Sequence, residues 1–331
     1  MSERSVMDQP LVGFGYSYWF QCIGCGGRVD IEAGLFELQC ASQADYSVCG
    51  LCGTPVDVTQ QTQTMRDPED VASQIDSVAQ LVWYHTSRYE HWPDLAAYTA
   101  DVTAEARRTA EHFEGYDVER RIATKLSLAV HLGTYEATIE NILRRLEDQD
   151  HSDLFDTKYW LHRVEIRLDQ PTDLHPEVCD ELYSMFGDVE LAQLQELGAR
   201  AVRYINRHEA IGSVSLAIDP ALVCTVSTMA LPVTEAALPE TPAAAAAAAR
   251  MVAATRTDAD TDDSWPAFTK ILHTEYLAGV NPQVQEPFVG AVGGEYEDAV
   301  EFHRRFRIAA GLLMRPDVVI GQLAAAPKRN V

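Results

Sequence analysis

Two short cysteine pairs, Cys22-Ile-Gly-Cys25 and Cys49-Gly-Leu-Cys52, determine how the N-terminal part of this chain folds. Each pair is followed by a glycine, Gly26 or Gly53, which allows the tight turn that directs two thiolates at one ion. Four cysteine ligands at about 2.3 Å form a closed tetrahedral shell, so the pattern predicts a structural Zn²⁺ ion and not a catalytic metal. A redox dithiol or a disulfide pair is the alternative interpretation.

This arrangement is similar to a zinc ribbon, and it places the first domain at residues 1–60. The spacer between the two pairs has a strand-like composition. Cys40 lies within the spacer and could compete as a ligand, whereas Cys179 and Cys224 are expected to be ordinary buried thiols.

Charge and composition restrict the choice of partner. The 331 residues are 47% hydrophobic, as in globular proteins, and carry a net charge of −24. The first sixty residues contain two basic side chains, Arg4 and Arg28, against seven acidic ones. This balance opposes binding to phosphate backbones, so a protein acceptor or docking partner is favoured over nucleic acid.

The chain shows no pattern of a secretory leader and no run of about eighteen apolar residues. We therefore expect a soluble protein with no membrane partner. The free thiols and the zinc site predict a reducing compartment, the cytoplasm.

Changes in composition divide the rest of the chain. Polar residues 61–72 are predicted as a linker, and residues 73–230 mix short strands with amphipathic helices, as in an α+β domain. Residues 231–250, rich in proline and alanine, are predicted as a second linker that enters a helix. Residues 251–331 are predicted as a small helical C-terminal region.

Periodicity within the middle domain predicts its elements. Apolar residues at intervals of three and four predict a helix at 135–147, capped by Thr134. Another helix is predicted to end at Gly198. The predicted strands are Leu126–His131, a half-buried Tyr159–Leu168, Ala201–Ile205, Val214–Ile218 and Val223–Val226.

Three polar segments lie at the ends of predicted strands, at His85-Thr86-Ser87, at His131 and at Glu209. Imidazole and hydroxyl groups at a strand end can bind a polar ligand, and a helix N-terminus after His131 favours an anionic group. A carboxylate can stabilise positive charge at a glycosidic carbon. Each segment also has a structural interpretation, namely a hydrogen-bonded histidine, a turn with its cap, and a solvated loop carboxylate.

In their order along the chain, the three segments resemble the ADP-ribosyltransferase fold, in the His-Tyr-Glu branch of diphtheria-toxin-like and poly(ADP-ribose) polymerase-like enzymes. The resemblance covers about residues 78–228 and implies a split β-sheet domain. It implies that His85, with Thr86 or Ser87, holds the adenosine ribose and the nicotinamide amide of NAD. His131 occupies the position of the aromatic residue that stacks on nicotinamide, and Tyr135 follows one helical turn later.

The resemblance also implies that Glu209 is the catalytic acid and makes His131 the second catalytic candidate. Asn206 is assigned to support the NAD pocket because it lies near Glu209 in the sequence. We therefore expect an α+β protein in which a zinc ribbon precedes an ADP-ribosyltransferase-like domain and a small C-terminal helical region. The expected activity is mono-ADP-ribosyl transfer from NAD to a macromolecular acceptor. NAD hydrolysis and a non-catalytic zinc-ribbon adaptor are the alternative functions.

Overall fold

The computed structural model describes residues 6–43, 46–150, 152–181, 189–257, 264–293 and 298–331. Its helices and mainly antiparallel sheets confirm the predicted α+β class. Within these residues, no single helix is both long enough and apolar enough to cross a bilayer.

The first structural unit, which we call the N-terminal module, spans residues 14–66. Strand β1 is the centre of a three-stranded antiparallel sheet with the order β2-β1-β5, and β3 and β4 form a hairpin that carries the second cysteine pair. The strands are β1 (Tyr18–Gln21), β2 (Arg28–Ile31), β3 (Ser47–Val48), β4 (Pro55–Val56) and β5 (Thr62–Gln63).

The strand-like composition of the cysteine spacer is misleading at Ala33–Cys40, which forms helix α1. Leu35 and Phe36 pack on the core of the N-terminal module, and the Phe36 ring stacks on Tyr18 with centroids 4.1 Å apart. Tertiary packing therefore decides the local structure here, against the weaker strand preference. The residues predicted as a linker, 61–72, contain β5 and continue the module's sheet.

Two four-stranded sheets form the middle of the molecule. Sheet I has the order β7-β11-β10-β9, and sheet II has the order β13-β12-β8-β6. Sheet I consists of β7 (Val130–Leu132), β9 (Leu174–Asp180), β10 (Ala201–Ile205) and β11 (Val214–Ile218). Sheet II consists of β6 (Trp83–Ser87), β8 (Tyr159–Ile166), β12 (Val223–Leu231) and β13 (Lys328–Asn330).

The two sheets meet at an isolated antiparallel bridge between Tyr84 of β6 and Gly133, just after β7. The Tyr84 amide donates to the Gly133 carbonyl at 2.9 Å, and the Gly133 amide donates to the Tyr84 carbonyl at 3.0 Å. The ends of β6 and β7 therefore lie side by side where the sheets divide.

The strand predictions hold with three corrections. The predicted strand Leu126–His131 begins only at Val130, because Val118–Leu126 forms a helix with Asp117 as its cap. Strand β8 is buried on both faces, since Leu161 packs toward the helices and Val164 packs between the sheets. Strand β12 continues to Leu231, because it pairs with β8 along its whole length.

The helices after α1 are α2 (Leu95–His112), α3 (Val118–Leu126), α4 (Tyr135–Arg145), α5 (Leu191–Glu196), α6 (Pro242–Thr257), α7 (Trp265–Tyr276), α8 (Pro282–Val292), α9 (Ala299–Met314) and α10 (Pro316–Ala325). Helix α4 confirms the helix predicted at 135–147, and the Thr134 hydroxyl caps it by accepting from the Ala137 amide at 3.1 Å. Gly198 follows α5 with φ of +68°, as predicted for a residue that ends a helix.

The helices beyond residue 250 share one hydrophobic core with α4 and β6. Phe268, Phe302 and Phe306 of α7 and α9 belong to the same cluster as Tyr84 and Tyr135. The alanine-rich segment predicted as a linker is largely α6, with Ala244, Ala247 and Ala248 buried in this core. Helix α4 is thus enclosed between these C-terminal helices and the N-terminal module.

Candidate functional site

The four predicted metal ligands converge at one end of the N-terminal module. The sulfur atoms of Cys22, Cys25, Cys49 and Cys52 all lie within 4.8 Å of one another. Cys22 Sγ lies 3.7 Å from Cys52 Sγ, and Cys25 Sγ lies 3.7 Å from Cys49 Sγ. Metal–sulfur bonds of about 2.3 Å in a tetrahedron place sulfur atoms about 3.8 Å apart, whereas a disulfide bond is about 2.0 Å long.

The backbone supports the same conclusion, because both cysteine pairs adopt the same turn. The Gly26 amide donates to the Cys22 carbonyl at 2.7 Å, and the Gly53 amide donates to the Cys49 carbonyl at 2.8 Å. Gly26 and Gly53 have φ of +71° and +74°, a conformation that favours glycine. The four thiols could therefore bind one structural metal ion, and they fit zinc.

The second predicted site begins at His85 on β6, next to the bridge between the sheets. His85 Nδ1 donates to the His131 carbonyl at 3.0 Å, since a carbonyl can only accept. Burial is the main cause that lowers the pKa of His85 to about 4. The bond to the carbonyl opposes this shift, and the nearby Arg145 and His131 contribute to it. The ring is therefore neutral at pH 7, with Nε2 as a hydrogen-bond acceptor.

Trp92 covers one face of His85, with ring centroids 4.4 Å apart. His162 of β8 lies on the same side of sheet II, and the centroids of the His162 and His85 rings are 6.2 Å apart. The Ser87 hydroxyl lies 2.9 Å from His162 Nε2, and the Thr228 hydroxyl lies 2.9 Å from His162 Nδ1. These two contacts fix the orientation of the His162 ring beside His85. Thr86 is buried on the opposite face of β6.

His131, the predicted middle residue, projects from β7 onto one face of sheet I. Its Nδ1 lies 2.8 Å from the Tyr204 hydroxyl. Tyr204 of β10 is opposite Ser215 of β11 in the strand register. The Asn206 side-chain nitrogen donates to the Ser215 hydroxyl at 3.2 Å. The Asn206 side-chain oxygen accepts from the Glu209 amide at 2.8 Å. The three predicted segments therefore lie next to one another at the sheet junction, and we call them the polar row. Two of its links end on the backbone, at the His131 carbonyl and the Glu209 amide.

Glu209 lies at the end of this row, in the loop between β10 and β11. It is 8% exposed, and its Oε1 accepts from Asn141 at 3.1 Å and from Arg144 at 3.0 and 2.5 Å. The Arg144 side chain is 37% exposed, so water solvates its charge in addition to the ion pair with Glu209. Burial raises the pKa of Tyr204 well above its usual value, with the nearby charges of Glu181 and Glu209 adding to the shift.

Tyr135 lies outside the polar row. Its ring is buried in the core shared with the C-terminal helices, and its hydroxyl donates to the Leu312 carbonyl at 2.8 Å. The structure thus brings together His85, His131, Asn206 and Glu209, and places Tyr135 on the other side of α4.

Behind Glu209 lies a second carboxyl group, Glu140 of α4, that the sequence analysis missed. Glu140 Oε2 accepts from the Ala210 amide at 2.5 Å and from the Tyr16 hydroxyl at 2.9 Å. A sequence signal was present, since Glu136, Glu140 and Arg144 recur every four residues and so lie on one face of the helix. Burial raises the pKa of Glu140 to about 8, and Glu209 adds to the shift against its hydrogen bonds and Arg66.

This shift predicts a pH dependence of stability. Glu140 stays protonated in the folded chain up to about pH 8, whereas it ionises near 4.5 when unfolded. The folded state therefore holds the extra proton between these values, and its stability falls as pH rises from about 4.5 to 8. Glu140→Gln removes this dependence. The free energy of unfolding of Glu140→Gln minus that of wild type should therefore be about 2 kcal/mol larger at pH 8 than at pH 6.

Urea unfolding at the two pH values measures this difference. The exposed Glu275→Gln variant is the control and should retain the wild-type pH profile. Parallel profiles for Glu140→Gln and wild type would show that Glu140 is already ionised in the folded protein.

Comparison with known proteins gives no match for this chain, whether to a family model, a curated protein or a solved structure.

Proposed function

We propose that this protein is an NAD-dependent mono-ADP-ribosyltransferase, with NAD bound along the polar row at the junction of the two sheets. The observation that carries the proposal is that the predicted residues are neighbours in that row. His85 bonds the His131 carbonyl, the His131 ring bonds Tyr204, and Asn206 bonds Ser215 and the Glu209 amide. The division of the strands into two sheets joined at Tyr84 and Gly133 supports it, since the resemblance implies a split sheet.

The His85 end of the row suits the adenosine ribose. Its neutral ring presents Nε2 as an acceptor for a ribose hydroxyl, while Nδ1 is committed to the His131 carbonyl. Trp92 covers one face of the His85 ring and His162 lies next to it, so both restrict its orientation. The resemblance assigns the His131 ring to pack against nicotinamide, and the Tyr204 hydroxyl lies 2.8 Å from its Nδ1.

Glu209 is the residue suited to act on the bond that breaks. The bond from nicotinamide nitrogen to ribose C1′ cleaves with its electron pair leaving on nicotinamide, so positive charge develops at C1′. The Glu209 carboxylate stabilises that charge, and a nucleophilic group of the acceptor then bonds to C1′ and loses a proton. Arg144 and Asn141 both bind Oε1 of the carboxylate, and we assign Oε2, which has no hydrogen bond among the described residues, to the ribose.

The N-terminal module favours a protein as the acceptor or docking partner. Its metal end exposes apolar side chains, with Ile23 63%, Val48 65% and Leu51 75% exposed. Apolar groups on an acidic surface fit a basic protein partner better than a nucleic acid. We assign zinc a structural role in this module, since four cysteine ligands leave no open coordination position.

The test of the proposal is nicotinamide release from NAD by metal-loaded protein, with labelled ADP-ribose followed into cell-lysate macromolecules. Release together with labelling of protein is the expected result. Release without labelling would identify an NAD glycohydrolase, in which water takes the place of the acceptor. Absence of release and of NAD binding in folded protein would leave the non-catalytic adaptor as the function.

A further inference from the structure

The loop that carries Glu209 is held by residues of the N-terminal module, and the contact centres on Arg66. Arg66 Nη2 donates to the Ala210 carbonyl at 2.6 Å. The Arg66 backbone amide donates to the Gly212 carbonyl at 2.8 Å. The guanidinium group also stacks on the Tyr16 ring at 4.1 Å, and Tyr16 in turn bonds Glu140.

Ala210 needs this support because its backbone is in the left-handed region, with φ of +43°. That conformation is unfavourable for a residue other than glycine. Both of its backbone polar groups are bound, the amide by Glu140 and the carbonyl by Arg66. The Ser213 amide also donates to the Ala210 carbonyl at 2.9 Å, so Arg66 adds a second bond to a carbonyl that the loop already binds. We expect loss of the Arg66 bond to loosen the backbone that directs the neighbouring Glu209.

The loop also fits closely against the chain around Arg66. Gly212 has φ of +84°, and a Cβ atom added there would lie 3.0 Å from the Arg66 nitrogen and 3.1 Å from the Thr64 carbonyl oxygen. The loop and this segment are therefore in direct backbone contact, with no room for a side chain between them.

Arg66 is itself fixed by the sheet of the N-terminal module. The Thr64 amide donates to the Trp19 carbonyl at 2.8 Å, which extends the pairing of β5 with β1. Arg28 of β2 donates to the carbonyls of Met65 and Arg66 at 2.8 and 2.9 Å. Because β1 ends at Gln21, directly before the ligand Cys22, the metal site and Arg66 lie on one continuous framework.

We infer that Arg66 is a positioning residue for Glu209, so that the N-terminal module is a structural part of the active site as well as a docking unit. This inference rests on the proposed function for its catalytic consequence. That Arg66 holds the loop at 206–213 does not depend on the proposed reaction.

The test compares Arg66→Gln with Arg121→Gln, an exposed arginine of α3, under conditions in which both proteins are fully folded. We expect Arg66→Gln to speed hydrogen exchange at the Ala210 and Gly212 amides at least tenfold. We expect kcat for nicotinamide release to fall about tenfold or more with little change in the KM for NAD, since Glu209 acts on the transition state. Arg121→Gln should match wild type in both measurements.

The second variant is Ala210→Gly, which removes the cost of the left-handed conformation. Added to Arg66→Gln, it should restore kcat about fivefold, the factor that corresponds to roughly 1 kcal/mol. Unchanged exchange at the loop in Arg66→Gln would overturn the inference, as would equal kcat values for Arg66→Gln and Arg121→Gln. If wild type releases no nicotinamide, the proposed function fails, and the exchange rates still decide whether Arg66 holds the loop.

Discussion

Glu209→Gln should reduce nicotinamide release from NAD on the order of 100- to 1,000-fold, the range found when a group that stabilises transition-state charge is removed. The substitution preserves shape, and a glutamine Oε1 can still accept from Asn141 and Arg144. Arg144 is partly exposed, so water can solvate its charge once the carboxylate is gone. The loss should therefore appear in kcat and not in folding.

Comparison with Glu275→Gln on α7 controls for the change in net charge. The KM for NAD should change less than kcat, because the carboxylate interacts most strongly with the charge that develops at C1′. Activity within a fewfold of wild type would remove Glu209 from the reaction.

The second large effect concerns the four cysteines. Structural zinc contributes about 10–16 kcal/mol of apparent binding free energy in small zinc-finger peptides, so Cys49→Ser should lose its metal and destabilise the N-terminal module. We expect wild type to contain about one zinc ion per chain, and Cys49→Ser to contain far less and to be cut by protease within residues 14–66. Elemental analysis and limited proteolysis measure these changes.

Cys224→Ser is the matched control, because Cys224 lies on β12, outside the cluster. It should keep both the metal and the protease resistance of wild type. Thiol titration of unfolded, chelator-treated protein separates the metal site from a disulfide, since all seven cysteines should react. Two fewer reactive thiols, together with no bound metal, would indicate a disulfide.

The parts of the fold that the sequence predicted are those determined by local signals. The cysteine spacing predicted the four-cysteine cluster, and short strand-like runs separated by turn residues predicted β10 and β11 to the residue. Thr134 predicted the start of α4 correctly, because the cap is a hydrogen bond between residues only three positions apart, Thr134 and Ala137.

What the sequence did not predict depends on contacts between distant segments. Arg66 and Ala210 are 144 positions apart, and Glu140 and Tyr16 are 124 apart, so no local pattern relates them. Tyr135 shows the same limit, because only the packing of α9 on α4 places its ring in the core. The strand β13 near the C-terminus was also missed, since its short polar sequence is ordered by pairing with β12.

The most direct test of the central claim is calorimetric titration of NAD into metal-loaded wild type, His85→Ala and His112→Ala, the last being an exposed histidine of α2. A site at the sheet junction predicts saturable binding by wild type and His112→Ala, and at least about tenfold weaker binding by His85→Ala, a loss of about 1.4 kcal/mol. Binding that is equal in all three proteins would place NAD elsewhere. No binding by folded wild type would contradict the account.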